Sequence, residues 1–120
     1  MSADDLSALK KATEGVLYPS ESDEPFEVFI WTDVELQPAE VIRSHVKKGI
    51  KVQEQPLEQF FADLQQSDDA PKFNELRRVL ESSLRGAKVF RAGSVEIDVF
   101  VIGRTQSGKW AGLHTRSIET

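Results

Sequence analysis

Apolar residues recur every three or four positions in four stretches of this chain, and every second position in its last third. The first stretch, residues 4–14, places Leu6, Leu9, Ala12 or Thr13 and Val16 on one stripe, with Gly15 as a stop, and predicts a helix. The second starts at Pro38, well suited to a first helical position, and runs to about 46 with Val41, Ile42 and His45 on one face. The third follows Pro56, where Leu57, Phe60, Phe61 and Leu64 keep the i, i+3, i+4, i+7 spacing. Residues 67–70 break the chain, and Pro71 opens the longest helix, with Phe73, Leu76, Val79, Leu80 and Leu84 inward and Gly86 as its close.

Elsewhere the period is two. Residues 26–31, rich in aromatic and β-branched side chains, predict a strand. Residues 50–54 suit a short edge strand, and 18–25 a polar loop with a proline near each end. Three extended segments close the chain: 89–92, 95–103 and 110–118, joined through Gly93-Ser94 and Gln106-Ser107-Gly108. Such short turns imply an antiparallel meander. In the middle segment Val95, Ile97, Val99 and Val101 share one face, while on the other Glu96 and Asp98 give way to Phe100 and Ile102. One face is therefore apolar throughout and the other only in its second half. This predicts an α+β fold, a three-layer α/β/α sandwich in one domain spanning 1–120, with a mainly antiparallel sheet ending in a three-strand meander.

Composition narrows the function. The chain has 120 residues and no cysteine, so neither a disulfide framework nor a thiolate metal site can form. The N-terminus shows no secretory pattern, and the longest apolar run, 99–102, is far short of a membrane span, so a cytoplasmic protein is expected. The net charge of −5 is uneven: residues 1–40 carry ten acids against Lys10 and Lys11, a net of −8, and the remainder is net +3. An acidic third repels nucleic acid and suits a partner whose own site is basic or metal-loaded; it also simply aids solubility.

Candidate chemistry is sparse. Gly103-Arg-Thr-Gln-Ser-Gly-Lys109 fits seven positions of a phosphate loop, but Trp110 stands where Ser or Thr is required and a strand follows instead of a helix. His45, beside Val41 and Ile42, reads as a partly buried structural histidine. Neither it nor His114 has an acid at metal-ligand spacing, which disfavours zinc and leaves a His114-based hydrolase without a partner group. The functional candidate is Ser20-Glu21-Ser22-Asp23-Glu24, three carboxylates in five residues flanked by hydroxyls. It imitates a run of phosphates and could ligate magnesium. Its bland reading is a solvated turn. The second candidate is the chain end, where a strand leading to Glu119 and Thr120 would deliver a carboxylate at the edge of a rigid sheet.

Three blocks resemble the nuclease A inhibitor family: Ser20-Glu-Ser-Asp-Glu-Pro-Phe-Glu-Val-Phe-Ile-Trp31, Val89-Phe-Arg-Ala-Gly-Ser-Val-Glu-Ile-Asp-Val-Phe-Val-Ile-Gly103, and Trp110-Ala-Gly-Leu-His-Thr-Arg-Ser-Ile-Glu-Thr120. The resemblance covers nearly the whole chain. It implies a small α/β/α protein that blocks a metal-dependent, sugar-nonspecific DNA/RNA endonuclease in a one-to-one complex. The family's loop glutamate engages the nuclease's catalytic metal, and its terminal carboxylate also contacts that active site. These roles map onto Glu21 and Thr120. The implied protein is a bacterial, non-enzymatic monomer without a cofactor of its own, binding neither nucleic acid nor membrane. The connection between the Phe61 and Phe73 helices is shorter than the family pattern, so that region's contacts do not transfer. A different protein partner for the same fold is the alternative.

Overall fold

The computed structural model describes residues 6–18, 24–31, 35, 37–66 and 70–118. Among these described residues four helices accompany two sheets: α1 (Ser7–Thr13), α2 (Pro38–His45), α3 (Leu57–Leu64) and α4 (Ala70–Ser83). Strands β1 (Leu17–Tyr18) and β2 (Glu24–Pro25) form a small ribbon. Strands β3 (Glu27–Trp31), β4 (Val52–Gln55), β5 (Arg85–Ala92), β6 (Glu96–Arg104) and β7 (Trp110–Ile118) form the main sheet in the order β3-β7-β6-β5-β4. Every pairing in both sheets is antiparallel, and β5, β6 and β7 are the expected meander.

The alternation along β6 separates two cores, because successive side chains leave opposite faces of a strand. Ile97, Val99 and Val101 join Leu113 under α1, α3 and α4, where Leu9, Phe60, Phe61, Phe73, Leu76 and Leu80 are buried. Phe100 and Ile102 join Phe90 and Trp110 on the other face, under Val41 and Ile42 of α2. Three helices on one face and one on the other make the expected α/β/α arrangement. A single short helix cannot cover a whole sheet face. Where Glu96 and Asp98 replace apolar residues, the described residues leave two grooves, one reaching to Trp31 and His45 and the other lined by Val46, Lys47 and Ile50 just past α2. α2 is held at its start by a reciprocal cap: Gln37 accepts from the Glu40 amide, and Glu40 accepts from the Gln37 amide at 3.4 Å.

Several local expectations change. Residues 18–25 are not simply a loop, because Leu17 pairs with Pro25 and Tyr18 with Glu24. α4 ends at Ser83, and Gly86 lies three residues later inside β5, at a register shift between Arg85 and Lys88, where its φ of +62° supplies the irregular turn of backbone. Val95 belongs to the β5–β6 turn and is 51% exposed, not part of the core face. The edge strand β4 starts at Val52 instead of 50. No helix among the described residues is long and apolar enough to cross a membrane.

The sheet has two distinct ends. At one lie the last described residue Ile118, opposite Glu96, and the β5–β6 turn, while β3 starts midway, with Glu27 opposite His114 and His114 opposite Phe100. At the other, about 30 Å away along nine residues of β6, lies the β6–β7 turn.

Candidate functional site

Of the residues nominated by sequence, only Glu24 is described; Ser20, Glu21, Ser22, Asp23, Glu119 and Thr120 lie outside the described residues. The described backbone on either side of them is informative. Residues 19–23 are flanked by Tyr18 and Glu24, which pair with each other. Tyr18 stacks on Phe60, ring centres 5.7 Å apart and nearly parallel, and meets Phe26 edge-on. On the other flank the Thr115 hydroxyl donates to the Pro25 carbonyl at 3.0 Å and lies 3.4 Å from that of Glu24. Thr115 sits three residues before Ile118 on β7, a distance of about 10 Å along the strand. The flank of one nominated segment thus meets β7 three residues before the last described residue ahead of the other, in the same half of the sheet.

On the opposite face of β7, in this half, lies a polar cluster. His114 Nε2 lies 2.9 Å from Asp98 Oδ1 on β6, and its Nδ1 lies 3.9 Å from Glu27 Oε2 on β3. Arg116 Nε approaches the same Asp98 oxygen at 3.5 Å. The His114 ring packs on Phe100, centroids 4.8 Å apart. These groups line a shallow groove of about 360 Å³ whose far wall is Trp31, with the His45 ring stacked on it at 3.7 Å. His45 is exposed, not partly buried as its position beside Val41 and Ile42 suggested, because α2 ends there and the ring lies over Trp31 instead of in the core.

His114 therefore has the acid partner that its sequence neighbours did not reveal. Asp98 is 16 residues away and becomes a neighbour only through the β6–β7 register, in which Phe100 faces His114 and Asp98 faces Arg116. The signal present in sequence was indirect: acids at 96 and 98 interrupting an otherwise apolar face. A histidine–aspartate pair is part of a hydrolytic apparatus only beside a nucleophile. Among the described residues the groove lining contains no hydroxyl or thiol, and Thr115 faces the other side of the sheet, engaged with Pro25. What the cluster can do is accept and donate hydrogen bonds on a rigid strand. Among the described residues no group of three or more His, Cys, Asp or Glu side chains could hold a metal ion.

The stretch that imitates a phosphate loop lies at the far end of the sheet and is a closed hairpin. Three of its amides are already committed: Thr105 to the Lys109 carbonyl at 2.9 Å, Gly108 to the Thr105 carbonyl at 3.0 Å, and Lys109 to Thr105 Oγ1 at 3.1 Å. Trp110 continues directly into β7 beneath the Arg104 guanidinium, 3.6 Å from the ring centre. A phosphate loop leads into a helix whose first amides face the anion, and here Trp110 opens a strand instead.

Comparison with curated proteins finds no match. A family model described as nuclease A inhibitor-like protein matches residues 4–120, which include both nominated segments and the whole described fold. The chain belongs to the nuclease A inhibitor-like family.

Proposed function

We propose that this protein is a non-enzymatic inhibitor that occupies the metal-containing active site of a sugar-nonspecific DNA/RNA endonuclease, acting in the cytoplasm to protect the producing cell. Residues Ser20 to Glu24 and the chain end Glu119-Thr120 form the contact, in a one-to-one complex with a protein that is monomeric when free. Glu21 reaches the partner's catalytic cation, and the Thr120 carboxylate adds a second negative group. Family membership supports the partner class. The observation that carries the site is the Thr115–Pro25 hydrogen bond, which joins the flank of the acidic segment to the strand leading to the chain end.

The chemistry is consistent. A nuclease site attracts phosphate, so it is basic and holds a divalent ion with open positions. Carboxylates presented on a rigid scaffold can take those positions without offering a scissile bond. The short connection between Leu64 and Ala70 favours one alternative, a different protein partner for the same fold.

The test is to mix the purified protein with a magnesium-dependent non-specific nuclease from its own organism and follow DNA cleavage. Intact DNA at one equivalent is the expected result; undiminished cleavage at large excess supports the alternative. Glu21→Ala should weaken inhibition by about 2–5 kcal/mol, the usual cost of truncating one member of a buried charged contact. Glu58→Ala, on the exposed side of α3, removes the same charge and should have little effect. Equal losses for the two variants would reduce the role of Glu21 to bulk charge.

A further inference from the structure

The ladder between β3 and β7 runs from Trp31 opposite Trp110 to Glu27 opposite His114. One residue earlier in the chain, Phe26 leaves the ladder and packs its ring edge-on against Phe73. β7 nevertheless continues to Ile118, paired there with β6. At the point where backbone pairing to β3 stops, a side chain takes over. The Thr115 hydroxyl reaches across to Pro25 and Glu24, residues 90 and 91 positions away in sequence. A hydroxyl carries one hydrogen, so the 3.0 Å bond to Pro25 is the principal one, and the Glu24 carbonyl shares it.

Packing alone does not require threonine here. Thr115 is 3% exposed on the apolar face of β7, and valine would fill the same volume with the same strand preference. Valine cannot donate. Pro25 has no N–H, so this carbonyl is the backbone hydrogen-bonding group it brings to the ribbon. The choice of a buried hydroxyl is therefore explained by the segment it holds.

We propose that Thr115 is a positioning residue of the partner-binding site: its hydroxyl fixes the Glu24-Pro25 flank of the acidic segment to the strand that leads to the chain end. This rests on the inhibitor reading above. A flank already held in place lowers the ordering cost of binding through the segment it carries.

The test compares Thr115→Val, which removes the donor, with Thr115→Ser, which keeps it. Thr115→Val should weaken nuclease inhibition about tenfold, the equivalent of one hydrogen bond. Thr115→Ser should stay within about twofold of the original protein. In a Glu21→Ala background Thr115→Val should cost much less, because the contact it serves is already gone. Amide exchange in the free protein gives a readout that needs no nuclease: Thr115→Val should speed exchange at Glu24 and Phe26 and leave Leu113 unchanged. Equal losses for the Val and Ser variants, or the same loss with and without Glu21, would make Thr115 merely structural and overturn the proposal. If the original protein inhibits no nuclease, the inhibitor reading fails, and exchange alone decides: unaltered rates at Glu24 and Phe26 overturn the positioning role.

Discussion

Gly112 is the residue at which the sheet tolerates least. It faces Phe29 on one neighbouring strand and Ile102 on the other. A Cβ added there would stand 1.7 Å from the Val101 carbonyl oxygen, a backbone atom that cannot swing aside. Gly112→Ala should therefore cost about 3 kcal/mol or more, read as a fall in the denaturation midpoint. A near-neutral result would mean that β7 can shift against β6. The same register explains what sequence could not reveal at this scale. Asp98 and His114 carry no mutual signature in the chain, and only the pairing of Phe100 with His114 makes them diagonal neighbours. His45 departs from the expectation for a related reason: helical periodicity gives the face of a side chain, not where the helix stops over the sheet. Glu75 and Arg78 sit outside all of this, on exposed α4; the Arg78 hydrogen bond holds the Glu75 carboxyl below its usual range.

At the scale of elements, periodicity was a good guide wherever an element had at least one full period to display. α3 and α4 bury the aromatic and aliphatic residues expected of them, and the meander falls where its turns place it. The β1–β2 ribbon was hidden because two-residue strands have no period. Gly86 looked like a helix stop because a bulge and a stop both call for the same backbone conformation. The strand most exposed to experiment is β7, whose pairing with β6 persists to Ile118. A C-terminal tag, or deletion of Glu119-Thr120, should sharply weaken nuclease inhibition while thermal unfolding stays nearly unchanged, since the ladder up to Ile118 is kept. An N-terminal tag should leave inhibition intact. Full inhibition by the C-terminally tagged protein would remove Thr120 from the site.

Over the whole molecule, charge and shape act together. Residues 1–40 carry −8 within a chain of net −5, and the remainder is net +3. Toward a basic partner, such negative charge accelerates encounter, and salt removes the advantage. The association rate with the nuclease should fall about tenfold or more between low and high ionic strength, with a smaller change in the dissociation rate. A rate independent of salt would dismiss steering. The segments proposed for this encounter flank the half of the sheet that holds Thr115 and Ile118, whereas the Thr105–Lys109 hairpin stands at the far end, with three of its amides bonded internally. That separation makes Gln106 and Ser107, both exposed at the tip, a natural anchoring point. A dye, a sensor surface or a fused reporter attached there would stand at the opposite end of β6 and β7 from Ile118, and the protein could be tethered while the proposed contact stays free.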